Sequence, residues 1–185
     1  MKRLMGLGLL GLAAAAALLG LGELRAADEK GTVVEIDGLK SRTPAAWVEE
    51  KPTTKLRLKQ FKLPKVGEDK EDAQLLVIYL EGSGGSAEDN VNRWKDQFIP
   101  PKGKSIDEVA KVEKLQVSGV PAVYVDIQGT YKGQAFEKAP PKPDYRMLAV
   151  YWGSKKGPYF IRLTGPAKTV EHHKKGFDEW LKGFK

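Results

Sequence analysis

Two histidines, His172 and His173, and no cysteine limit the chemistry open to this chain. Neighbouring residues on a helix point about 100° apart, so the two imidazoles do not converge on one ion. His173 falls on an apolar stripe and reads as a packing residue; His172 reads as exposed. Without cysteine there is neither a thiolate metal site nor a disulfide framework. No Gly-x-Ser-x-Gly elbow accompanies the histidines, so no Ser-His-Asp set emerges. The 24 Asp and Glu residues leave a hydrolase with paired carboxylates open, but no spacing singles out a pair. The run Gly82-Ser83-Gly84-Gly85-Ser86 before a helix resembles an anion cradle. It lacks the Gly-Lys-Ser/Thr of a P-loop, and Glu88 and Asp89 repel phosphate, so it reads as a strand-to-helix turn.

Two constellations remain. Asp126 is a charge on a strongly β-forming strand, sharing a face with Tyr124, and Arg162 sits on a later strand. If those faces coincide, Asp126 and Arg162 pair beneath a helix and line a polar pocket. Asp126, Arg162 and Tyr124 are therefore the candidate ligand-binding residues. The second constellation is the stretch Gly133–Tyr145, which holds Pro140, Pro141 and Pro143. Prolines favour extended polyproline geometry and lower the entropy lost on docking. Long loops in small domains often carry function. Phe136, Pro140, Pro141 and Tyr145 are the candidate partner contacts. No catalytic residue, metal ligand or cofactor is expected.

These groups need elements to position them. Met1-Lys2-Arg3 is a basic start, Leu4 to Gly22 an apolar run, and Leu24 and Ala26 provide small or tolerable residues before a cut at Ala27. This is the pattern of a secretory signal peptide over residues 1–26. It places the mature chain in the periplasm or the extracellular medium. The run also approaches the length that spans a bilayer, so an uncleaved anchor is the competing expectation. After cleavage no stable membrane insertion is expected. The net charge of +7 comes mainly from lysine. Lysine is a hydrated point charge less suited than arginine to bidentate recognition. The charge reads as a solvated surface, and no nucleic-acid partner is expected.

Residues 27–40 form a short N-terminal segment, with Thr32–Ile36 β-branched and Asp37-Gly38 a turn pair. A single domain is expected over 41–185, with Trp47 an early core residue. Leu56–Leu63 alternates in part and reads as a strand with one wet face. Ala73–Leu80 is apolar without alternation, as in a strand covered on both faces. Ser86 caps a helix whose stripe is Ala87, Val91, Trp94 and Phe98. Val112–Val117 and Pro121–Gln128 follow as strands. In the second, Val123, Val125 and Ile127 share one face, and Tyr124, Asp126 and Gln128 the other. Lys132–Asp144 reads as a loop. Arg146–Trp152 and Tyr159–Thr164 read as strands of a hairpin. Gly165-Pro166 opens a last helix with the stripe Val170, His173, Phe177, Trp180 or Leu181, and Phe184. The expected class is α+β, a single antiparallel sheet flanked by helices.

The order of these elements, together with Pro44-x-x-Trp47, the strand Ala73–Leu80, the helix Ala87–Phe98, Gly157–Pro166 and Phe177–Phe184, resembles the PsbP-like α/β/α sandwich. That fold is shared by a photosystem extrinsic subunit and a nuclear-import factor. The run Gly82–Trp94 is similar to small exported bacterial proteins of unknown function. The resemblance implies a fold over about residues 40–185. It carries no photosystem docking signature and no GTPase-binding surface, so neither role is implied. The expected function is a non-catalytic exported domain that binds an envelope or extracellular protein. The alternatives are a small-ligand binder with a polar pocket on one sheet face and, third, a hydrolase.

Overall fold

Turn chemistry sets the first hairpins. Asp37 and Gly38 have φ of 51° and 84°, and Ser118 and Gly119 have φ of 49° and 75°. Positive φ at both central residues is what a two-residue turn matched to strand twist demands. The first pair joins β1 (Val33–Ile36) to β2 (Leu39–Arg42). The second joins β7 (Ala110–Val117) to β8 (Val120–Tyr131). The computed structural model describes residues 30–82, 84–133, 139–154 and 156–185. The expected signal peptide lies outside them.

The remaining strands are β3 (Val48–Glu50), β4 (Arg57–Leu63), β5 (Ala73–Tyr79), β6 (Phe98–Ile99), β9 (Lys142–Ser154) and β10 (Gly157–Pro166). They assemble with β7 and β8 into one eight-stranded sheet in the order β3-β4-β5-β10-β9-β8-β6, with β7 also pairing β8. Every pairing is antiparallel. The expectation of one sheet needs correcting. β1–β2 is a separate two-stranded sheet. Its pairing partner beyond itself is the C-terminus, where Lys40 and Lys185 exchange backbone hydrogen bonds of 3.0 and 3.2 Å. Val34 and Ile36 are buried in the core beneath it. The boundary expected between residues 40 and 41 thus falls inside a hairpin that is part of the packed body.

Period-two alternation sends the sheet's side chains to two cores. Leu148, Val150 and Trp152 of β9, with Ile161 and Leu163 of β10, meet α3 (Ala167–Lys182). Met147 and Ala149, with Val125 and Ile127 of β8, meet α1 (Ala87–Lys95). Layers therefore run helix, sheet, helix. The predicted stripe of α3 is buried throughout: Val170, His173, Phe177, Trp180, Leu181 and Phe184. Pro166 caps this helix rather than occupying its first turn. Ser86 caps α1 with a full capping box to Asp89. A second box, Ser105 to Glu108, opens the short α2 (Ile106–Val109).

Element boundaries differ from the sequence reading: α1 ends at Lys95, which leaves Phe98 to β6 rather than to the helix stripe. β9 begins at Lys142, inside the expected loop, and Pro143 and Asp144 form a bulge opposite Thr130 with Asp144 at φ 54°. A bulge leaves a residue unpaired and so tolerates proline, which cannot donate to the ladder. At the sheet centre, β10 approaches β5 closely: a Cβ on Gly165 would sit 2.7 Å from Ala73 Cα. Gly165→Ala is expected to cost about 2 kcal/mol through backbone displacement. An unchanged urea midpoint would show that the two strands have room to part.

Candidate functional site

The three candidate ligand residues do not meet. In the ladder Asp126 lies opposite Leu148 and Arg162 opposite Ala149. Leu148 and Ala149 project to opposite faces of β9, so Asp126 and Arg162 lie on opposite sides of the sheet. The expected Asp126–Arg162 pair is therefore replaced by two separate polar sites.

The first is a groove of about 290 Å³ between α3 and the β7–β8 hairpin, lined by Leu115, Tyr124, Asp126, Arg146, Lys174 and Asp178, among others. Arg146 clamps Asp126 bidentately, with Nε and Nη2 each 2.7 Å from a carboxylate oxygen. It also contacts Glu171 of α3. Only 14 % of the Arg146 side chain and 12 % of the Asp126 side chain is exposed. Donating hydrogen bonds to Asp126 pushes the Arg146 pKa up, outweighing burial. Alongside, Tyr124 donates its hydroxyl proton to Asp178 at 3.0 Å, and Lys174 donates to both, at 3.1 and 2.8 Å. Burial, then the Asp178 charge, drives the Tyr124 pKa up, so it remains a donor. Asp126 and Asp178 thus each have their own donors. The arrangement fixes charges in place and offers Leu115 and the Tyr124 ring as apolar surface between them.

The second site is a polar cavity of about 280 Å³ on the α1 face. The nine residues of α1 extend about 13.5 Å and contact β8 and β9. On the same face, Gln60, Leu76 and Arg162 stand side by side across β4, β5 and β10. Arg162, only 8 % exposed, lines the cavity together with Arg57, Glu71, Lys142, Tyr145 and Thr164. Lys142 pairs Glu71 at 2.5 Å, and Tyr145 donates to the same carboxylate at 2.9 Å. The lysine hydrogen bond holds Glu71 below its ordinary pKa, against burial. Tyr145 is buried, and its ring stacks on Tyr131 with centroids 6.0 Å apart and planes 5° from parallel. Expected as an outward contact, Tyr145 instead forms a cavity wall, because its strand position faces α1. Pro140 and Pro141 are exposed. Phe136 lies outside the described residues.

Arg146, Lys174 and Asp178 were missed by sequence reasoning, as were Arg57, Glu71 and Lys142. Arg146 adjoins Tyr145 in sequence, but only the β8–β9 register puts it beside Asp126. Among the described residues no group of three or more His, Asp and Glu side chains is placed to hold a metal ion. No described helix is long and apolar enough to cross a membrane.

No protein-family model and no curated sequence matches the chain. Solved structures do. Cyanobacterial PsbP (CyanoP) from Synechocystis sp. PCC 6803 superposes with a TM-score of 0.51 at 12 % identity, over 91 % of this chain and 98 % of that one. The fold is PsbP-like. Protein PA94 of Pseudomonas aeruginosa, of unknown function, aligns at 16 % identity over 82 % and 93 % of the two chains, with a TM-score of 0.47. The Saccharomyces cerevisiae Ran-binding protein Mog1p aligns at 11 % identity over 83 % and 94 %, with a TM-score of 0.48. At these identities the PsbP-like likeness speaks for the sandwich and not for a role.

His173 belongs to neither site. Its Nε2 is 2.9 Å from the Pro64 carbonyl, and its ring packs edge-on to Trp47. Burial holds its pKa below the ordinary 6.5; the Pro64 contact opposes this and His172 adds to it. Between the two values the unfolded chain binds a proton that the folded chain does not. Stability is therefore expected to be intact above pH 6.5 and to fall on acidification through the folded-state value. Urea midpoints from pH 7.5 to 5 should show that slope, and His173→Gln should flatten it. A His173→Gln profile parallel to the parent's would assign the slope to other groups.

Proposed function

We propose that this chain is an exported, non-catalytic domain that binds an envelope or extracellular protein through the β6–β7 edge of its sheet and the exposed Pro140-Pro141 segment at the same end. The supporting observation is the edge itself. Among the described strands, β6 and β7 pair only with β8. The outer backbone of eight-residue β7 therefore faces away from the sheet. An exposed strand edge can accept an extended partner segment through main-chain hydrogen bonds. Ile99 and Val112 are 46 % and 44 % exposed along it. Lys111, Glu113 and Lys114 give the edge mixed charge, which discourages indiscriminate pairing. The groove bearing Tyr124 and Asp126 opens beside β7 and supplies side-chain pockets. The signal-like leader supports export.

The test is photocrosslinking in intact source cells from probes at Ile99 and Val112, with probes at Val33 and Val48, also exposed, as controls. A recurrent protein captured from the edge positions and not from the controls is expected. Capture from all four, or from none, overturns the proposed surface. The same preparation gives the mature N-terminus; a start at Met1 would replace export with anchoring. A second reading, small-ligand binding, is favoured by the cavity that Arg162 lines.

A further inference from the structure

We infer that the β7 edge pairs with the β7 edge of a second copy of this chain, antiparallel and centred on Val112, so that the two sheets run on as one. This rests on the edge reading above and names the edge's occupant. The backbone shows which groups are available. Ala110 donates its N–H to the Ile106 carbonyl of α2, not to β8. Backbone groups of an antiparallel strand point to its two sides alternately. Those of Val112, Lys114 and Gln116 therefore also point away from β8. The side chains supply a second observation. Lys111 stands opposite Asp126 in the β7–β8 ladder, and Glu113 opposite Tyr124. Asp126 is already held by Arg146, and Tyr124 already donates to Asp178. Among the described residues, Lys111 and Glu113 are thus exposed charges with no ion pair of their own.

Those two charges match a copy of themselves. β7 begins Ala110-Lys111-Val112-Glu113-Lys114. Turned about Val112, this order sets Lys111 opposite Glu113 of the second copy, and Glu113 opposite its Lys111. The Val112 side chains, 44 % exposed, meet at the two-fold axis. Residues facing each other across antiparallel strands share a face, where opposite charges attract and like charges repel. A contact centred on Lys111, Glu113 or Lys114 would set that charge against itself. Centring on Leu115 or Gln116 leaves Lys111 and Glu113 opposite neutral residues. The Val112 register is the one that spends both charges. It also satisfies the outward backbone: the two Val112 residues exchange N–H and C=O, and each Lys114 N–H meets an Ala110 carbonyl across the axis. The same patch serves both copies, as a closed two-fold dimer requires. The contact is short, which puts it among weak associations.

The experiment is sedimentation equilibrium of the mature chain over about 1 µM to 1 mM, where monomer and dimer are expected together. Lys111→Glu or Glu113→Lys alone sets like charges against each other on both sides of the axis and should weaken dimerisation about tenfold. The double variant, Lys111→Glu with Glu113→Lys, exchanges the charges and should return it to within about threefold of the parent. Because the chain has no cysteine, a single introduced one reports alone. Val112→Cys should oxidise to a covalent dimer, since facing Cα atoms of such a pair lie about 5.5 Å apart. Lys114→Cys, about 14 Å from its copy in this register, should not. A monomer throughout, or a double variant no better than the single ones, overturns self-pairing. Equal oxidation of Lys114→Cys overturns the register. The photoprobe at Val112 in cells is expected to capture the chain itself. Capture of a different protein alone, with a monomeric purified chain, overturns self-pairing and leaves the edge as a contact surface. No capture from the edge overturns the edge reading itself.

Discussion

Arg146→Ala is expected to lower the unfolding free energy by about 3 kcal/mol. The cost lies in what stays behind. Asp126 retains its position on β8 with a side chain only 12 % exposed, and loses two hydrogen bonds of 2.7 Å. Removing one member of a buried pair strands the other charge, at about 3–5 kcal/mol. Partial exposure at the groove mouth puts the expected value at the lower end. Glu171, 65 % exposed, adds little, since solvent-exposed ion pairs contribute about 0–1 kcal/mol. Replacing both residues, Asp126→Leu with Arg146→Met, is expected to recover most of the loss, because no charge is then left unpaired. Urea unfolding of the four-member cycle measures this. If Arg146→Ala costs less than about 1 kcal/mol, the groove is wet enough to solvate Asp126.

Trp180→Ala should be the more damaging change, at about 4 kcal/mol. Trp180 is 2 % exposed, with ring centroids 5.8 Å from Trp47, 6.0 Å from Phe177 and 5.2 Å from Phe184. Phe177 on α3, Trp47 just before β3 and Phe184 just after α3 are all buried and cannot fill the space it vacates, so a cavity term adds to the lost transfer energy. Its carbonyl also accepts the Ser41 hydroxyl at 2.6 Å, tying α3 to the β1–β2 hairpin. The whole domain has on the order of 5–15 kcal/mol to lose. The expected signature is a large fall in urea midpoint with faster amide exchange in β2 and in the last turns of α3. A fall of less than about 1.5 kcal/mol would mean that the aromatic cluster repacks.

Much of the frame was legible because it rests on local rules. The Ser86 cap, the Asp37-Gly38 turn, the alternation from Val123 to Gln128 and the stripe on α3 each involve neighbours within a few residues. What failed was of two kinds. Short elements such as β6 and α2 carry too few residues for periodicity to register, although Ser105 and Glu108 did hold a capping signature. Proline was read as a loop signal at Pro143, where a bulge admitted it into β9. A bulge is set by the facing strand and so has no local mark.

The sequence by itself determined which residues are polar on otherwise apolar strands, and so named Asp126, Tyr124 and Arg162 as residues with something to explain. Tertiary structure decided what they do. The register of β8, β9 and β10 put Asp126 and Arg162 on opposite faces, gave Asp126 to Arg146, and gave Arg162 a cavity shared with Arg57 and Lys142. A strand's side chains alternate with a period of two, so moving a pairing by one residue exchanges its faces. That single step is invisible along the chain, and it is what separates one imagined pocket from two real ones.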